Sequence, residues 1–102
     1  MNKVSAKIQP LTEIDRVIHE PARLMIVALL AAVKEADFRY LHLSTGLTNG
    51  NLSVHLSKLE VAGYVGIEKT FRGKYPLTLC RLTENGREAL ARYKRSMRMA
   101  LY

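Results

Sequence analysis

A chain of 102 residues, 48% of them apolar, makes one domain: enough for a modest core, too little for two, and too apolar to stay disordered. The net charge of +7 is uneven. Residues 1–68 balance seven Lys/Arg against seven Asp/Glu, so the whole excess lies in residues 69–102, where nine cations meet only Glu84 and Glu88. A localised basic surface of this kind is the footprint of a polyanion partner.

Two exclusions accompany that charge. No apolar run approaches the roughly 20 residues that span a bilayer, and MNKVSAKIQP has no apolar stretch of signal type behind its two lysines. The expectation is a soluble, cytoplasmic protein without a membrane partner. Cys80 is the single cysteine, so neither an intrachain disulfide nor a CxxC pair can form.

In chain order, residues 1–10 read as a flexible N-terminus. Leu11, Ile14 and Ile18 then recur at helical spacing, and Pro21 ends that helix and opens the next. From Ala22 to Lys34 the run ARLMIVALLAAVK is apolar nearly all round, which marks a central buried helix. Asp37 and Phe38 read as a very short strand, after which Tyr40, Leu41 and Leu43 begin a short helix that stops at Gly46.

Thr48 is placed to cap a second helix, pinned to the core by Leu52, Leu56 and Leu59 and ended by Gly63. Its other side carries Asn49, Asn51, Ser53, Val54, Ser57 and Lys58. Asn bonds adenine bidentately, Ser reaches base edges or phosphate, and Val meets a thymine methyl, so this face suits a DNA major groove. The alternative is an ordinary solvated face. Beyond Gly63, Val65, Ile67 and Phe71 alternate with Gly66, Glu68 and Thr70 as a half-buried strand does. Arg72, Gly73, Lys74 and Tyr75 form a basic turn, and Pro76 opens a return strand through Leu77, Leu79 and Leu82. The pattern over residues 37–62 is a helix-turn-helix, and that over 64–82 is a wing, with Arg72 and Lys74 set to meet the minor groove or the backbone.

Thr83 caps a last helix over 83–102, along which Ala89, Leu90, Tyr93, Met97, Ala100 and Leu101 form an apolar stripe. So small a domain has little core to cover the outer part of that stripe. The expectation is a homodimer built on Leu90, Tyr93, Met97 and Leu101, helped by Leu11, Ile14 and Ile18. Arg92, Lys94, Arg95 and Arg98 would then bring like charges towards the two-fold axis. The fold class is mainly α with a small β-hairpin: one winged helix-turn-helix domain over 1–102, flanked by N- and C-terminal dimerisation helices.

Four blocks, IHEPARLMIVALLA, LTNGNLSVHLSKLEVAGYV, EKTFRGKYPLT and LTENGREAL, follow one another with the order and spacing of a known family. From Ile18 to Tyr93 the chain resembles the winged-helix transcription regulators of prokaryotes, close to the MarR and ArsR-like groups and their small single-domain members. The resemblance implies a symmetric dimer in which the helix after LTENG pairs with its mate, the helix from Thr48 reads the major groove, and the hairpin at Gly73 is the wing. The chain departs from many relatives at Val54 and Ser57, where they carry Arg or Lys, which implies weaker binding or fewer bases read.

No catalytic constellation is visible: no nucleophile with a base, no paired carboxylates, no cofactor motif. His19, His42 and His55 lie on three elements without metal-ligand spacing; His55 suits packing or a phosphate contact, and Cys80 a buried strand position. The reading is a sequence-specific regulator of double-stranded DNA, with repression as the simplest consequence of occupying a promoter. Two other classes stay open: a winged-helix protein-interaction module, and a sensor whose small-molecule effector sits against Tyr93, Met97 and Met99. No residue pattern indicates such an effector.

Overall fold

The computed structural model describes residues 3–102. Helix α2 (Pro21–Ala31) runs through the middle of the domain. Its start is dictated locally: Glu20 is extended, its carboxylate accepts from the Ala22 and Arg23 amides at 3.0 and 2.9 Å, and Pro21 stands where no amide is needed. Strand β1 (Ala36–Asp37) leads into α3 (Phe38–Thr45), where Asp37 accepts from the Tyr40 amide at 2.7 Å. Gly46, at φ +72°, closes α3 in the left-handed conformation that favours glycine. Helix α4 (Asn49–Val61) follows after two residues, capped by Thr48, whose hydroxyl accepts from the Asn51 amide at 3.1 Å.

Strands β2 (Val65–Arg72) and β3 (Tyr75–Leu82) pair antiparallel from Val65↔Leu82 out to Arg72↔Tyr75, and β1 adds to the other edge of β3 through Ala36↔Cys80. The sheet order is β1-β3-β2. Ile26, Val27 and Leu30 of α2 meet Leu41, Leu52, Leu56 and Leu59 of α3 and α4 and Val65, Cys80 and Leu82 of the sheet. Truncating a leucine in such a core costs about 2–5 kcal/mol, so α4 is held by one face and its other face is left to the surface.

Helix α5 (Glu84–Leu101) is locked to the root of the wing by Thr83 and Gly86. The Thr83 hydroxyl donates to the Gly63 carbonyl at 2.6 Å and accepts from the Gly86 amide at 3.0 Å, while the Thr83 amide donates to the Tyr64 carbonyl at 3.0 Å. Any Cβ on Gly86 would collide with that same Tyr64 carbonyl and lie 2.7 Å from Leu82 Cδ1. Glycine here is a packing requirement.

The N-terminal third departs from the expected pattern. No helix runs from Leu11 to Ile18; helix α1 (Lys3–Ile8) is followed by a 3-10 segment (Gln9–Glu13), and residues 14–20 are irregular. The cause is Asp15, whose side chain accepts from the Val17 and Ile18 amides at 2.9 and 3.2 Å and so offers the backbone a local alternative to helix. Residues 3–8, expected as flexible, are thus helical, while residues 1 and 2 of that expectation lie outside the described residues.

The apolar stripe of α5 also has company within the chain. Ile18 is fully buried against Ala89 and Tyr93, with Ile14, Leu24, Tyr64 and Met97 packed around them, and Leu90 joins the main core. Of the residues assigned to a dimer surface, Ile18, Leu90 and Tyr93 are therefore interior, Leu11, Ile14 and Met97 are half-buried, and Leu101 is exposed. Helices α1 and the 3-10 segment pack on α5 and supply the cover that the sequence pattern left to a second copy. The molecule measures 62 × 25 × 21 Å.

Candidate nucleic-acid interface

The turn between α3 and α4 sets how α4 is presented, and side chains tie it down. His42 Nδ1 lies 2.7 Å from the Leu47 carbonyl, which fixes the proton on that nitrogen as the donor. The Thr45 hydroxyl donates to the Leu41 carbonyl at 2.7 Å and accepts from the Leu47 amide at 3.2 Å. With the turn fixed and Leu52, Leu56 and Leu59 buried, Thr48, Asn49, Asn51, Ser53, Val54, Ser57 and Lys58 are all exposed. Val54 is 51% exposed and apolar, as a base contact would use and a purely solvated face would not need.

The wing begins beside α4. Arg72, Gly73, Lys74 and Tyr75 form a two-residue hairpin turn with Gly73 at φ +62°, glycine at the first central position as type II′ turns demand. Arg72 and Lys74 are exposed at its tip. Lys69, on the inward-facing pleat of β2, lines a depression together with Ser53, Ser57 and Glu60 of α4, with Phe38, Ile67 and Thr78 behind them. The structure thus joins the α4 face and the wing into one surface and adds Lys69, a residue the sequence pattern did not single out although its basic character and strand position were both visible. Glu60 places one negative charge in the same depression. Arg81 leaves the basic count, because its guanidinium bridges Glu35 at 2.8 Å and Glu68 at 3.1 Å.

A family model described as a winged helix DNA-binding domain matches residues 22–101, the segment that holds the helix-turn-helix, the wing and α5. The chain belongs to this winged helix family. An uncharacterized protein of Methanocaldococcus jannaschii is 35% identical over 78 residues, 76% of this chain and 85% of its own length. The structure of a transcriptional regulator homologue from Pyrococcus horikoshii superposes with a TM-score of 0.82 at 30% identity, over 88% of this chain and 91% of that one. A MarR-family transcriptional regulator from Silicibacter pomeroyi shares the fold, with a TM-score of 0.65 at 20% identity over 96% of this chain and 64% of that one. The protein is a winged-helix transcriptional regulator.

Behind the winged helix's exposed face, polar groups are used up internally. Arg23 donates through Nε to the Val17 carbonyl at 2.6 Å and through Nη2 to the Arg16 carbonyl at 3.3 Å, and its Nη1 lies 3.2 Å from His55 Nδ1. Partial burial works to raise the Glu20 carboxyl, but the amides of Ala22 and Arg23 and the charges of His55 and Arg23 outweigh it and hold the group below its ordinary value. His55 therefore braces α4 against the start of α2. Tyr64 donates to Asp15 at 2.5 Å, a bond that, with burial, raises the phenol above its usual value and joins the irregular N-terminal segment to the root of the wing.

Cys80 is fully buried, and burial pushes its thiol up to about 11, with Asp37 and Glu60 adding to the rise. At neutral pH it carries no thiolate. Among the described residues no group of three or more His, Cys, Asp or Glu is placed to hold a metal, and no helix is long and apolar enough to cross a membrane. Tyr93 lines a depression with Pro10, Ile14 and Arg92 that neither Met97 nor Met99 lines, and Met99 is exposed, so the expected trio of Tyr93, Met97 and Met99 is not brought together there.

Proposed function

We propose that this winged helix is a sequence-specific regulator of double-stranded DNA that works in the cytoplasm as a homodimer and represses by occupying promoter DNA. The observation that carries the reading is the continuity of the α4 face with the wing: Ser53 and Ser57 share a depression with Lys69, and Asn51, Val54, Arg72 and Lys74 are exposed on the same two elements. In a dimer, two α4 helices would meet half-sites one DNA turn apart, about 34–36 Å. Exposed Val4, Ile8, Met99, Leu101 and Tyr102 at the ends of α1 and α5 supply the apolar surface for pairing.

Fluorescence anisotropy on the DNA upstream of the chain's own gene, against a scrambled duplex at low and physiological salt, tests the DNA reading. Tighter binding to the native fragment that persists at physiological salt is the expected result; equal binding to both, erased by salt, refutes sequence specificity. Sedimentation tests the dimer, and a species of 11.5 kDa at micromolar concentration refutes it.

One further observation favours control by a small molecule. A depression of about 530 Å³ is lined by Val17, Val61 and Ala62 together with Arg16, Arg23 and Lys58, at the junction of α4 with the segment before α2. Arg23 is committed to internal partners, which leaves Arg16 and Lys58 as its available cations. An organic anion seated there would press on α4. A thermal-shift screen of aromatic and aliphatic carboxylates, repeated on Lys58→Ala, tests it; a shift that survives the substitution places the ligand elsewhere.

A further inference from the structure

Phe71 and Tyr75 flank the wing turn and are 69% and 78% exposed, which puts two large apolar rings at the end of a basic arm. The pleat sends them to opposite faces, since Phe71 stands across from Pro76, and Tyr75 across from Arg72. Followed inward, the Phe71 face passes Lys69 and then reaches Ile67 and Cys80 in the core. Lys69 lines the depression that holds Ser53 and Ser57. Phe71 therefore stands on the same side of the wing as the open face of α4. Lys69 shares its face, Arg72 points to the Tyr75 face beside it and Lys74 stands in the turn, and no acid occurs between residues 69 and 83.

An apolar ring backed by a proline, at the tip of a hairpin that carries Lys69, Arg72 and Lys74, complements a DNA groove, where phosphates meet the cations and base edges meet the ring. Apolar side chains so placed insert between base pairs, unstack a step and kink the duplex. Building on the DNA-binding reading above, we propose that Phe71 is a wedge that enters the minor groove beneath the wing and opens one base step. The wing then selects DNA by deformability as well as by charge. Its preferred occupant is a pyrimidine–purine step, TA or CA/TG, which deforms at least cost.

The test compares the full chain with Phe71→Ala and with Tyr75→Ala, which removes a similar ring from the other face. Both positions are exposed, so thermal melts of the two variants should match the parent. Each protein selects duplexes from a random pool; affinity is read by anisotropy, bending by energy transfer between end labels, and unstacking by 2-aminopurine under the wing. The parent should enrich pyrimidine–purine steps at the wing position and bend its selected duplex. Phe71→Ala should lose the enrichment, the bend and the 2-aminopurine signal and bind roughly tenfold more weakly, as loss of an aromatic base contact does. Its salt dependence should be unchanged, because no phosphate contact is removed. Tyr75→Ala should still bend DNA.

A parent complex that binds tightly but stays straight, or Phe71→Ala complexes as bent as the parent's, overturns the wedge and leaves DNA binding intact. Loss of the bend in Tyr75→Ala alone overturns the assignment to Phe71. Failure of the parent to select any duplex overturns the DNA-binding reading and the wedge with it.

Discussion

The root and the tip of the wing are one hairpin with opposite habits. At the root Val65, Cys80 and Leu82 are buried, Arg81 is held between Glu35 and Glu68, and Thr83 and Gly86 fasten the exit to α4 and α5. At the tip Phe71, Arg72, Lys74 and Tyr75 are all exposed. The root satisfies its polar groups inside the chain and contributes stability. The tip leaves cations and aromatic rings open, contributes little to stability, and is where an external partner gains most. Charge alone misses this contrast, because Arg81 and Arg72 count equally in the sequence and do opposite things in the fold.

The largest expected effect lies at the root. Gly86→Ala forces a methyl into the Tyr64 carbonyl and Leu82, and overpacking of that sort costs typically 1–3 kcal/mol. Thermal unfolding should show a fall of several degrees; an unchanged melt would mean that α5 can slide, and that the root is not rigid. Next is Thr83→Ala, which removes the α5 cap and the bond to the Gly63 carbonyl together, for a loss of about 1–2 kcal/mol by denaturant titration.

At the tip the comparison reverses. The double variant Arg72→Ala/Lys74→Ala should unfold within about 0.5 kcal/mol of the parent, as exposed substitutions do, yet lower the slope of log affinity against log salt by close to 2. A large stability loss with an unchanged slope would show the tip to be structural.

Gly50 gives the smallest effect on stability and the most pointed one on binding. It lies in the first turn of α4, and a Cβ there would meet nothing within 4 Å, so no packing in the chain calls for glycine. Gly50→Ala should stabilise the fold by a few tenths to about 1 kcal/mol and weaken DNA binding if the α4 backbone approaches a phosphate. Equal or tighter DNA binding would remove Gly50 from the interface.

Much of the fold was legible before any coordinates, wherever a structural decision is local. Thr48 and Thr83 announce helix starts, because a hydroxyl can accept an amide that a helix leaves unpaired. Leu52, Leu56 and Leu59 recur at the spacing of one buried face, and by the same periodicity Asn51, Ser53, Val54 and Ser57 fall to the open one. In the N-terminal third that same rule fails. Leu11, Ile14 and Ile18 have helical spacing, but the Asp15 side chain takes the Val17 and Ile18 amides, and the apolar residues are buried from an irregular segment instead.

By itself the sequence determined the helix-turn-helix, the hairpin with its basic turn, and the order in which they follow, because caps, glycines and apolar periods act over a few residues. Only the tertiary structure decided which charges remain available, that Ile18, Leu90 and Tyr93 are spent inside one chain, and that Phe71 shares a side with α4. Those outcomes depend on contacts between residues far apart in the chain, such as Arg81 with Glu35 and Ile18 with Tyr93, and no local pattern records which distant partner a side chain will meet.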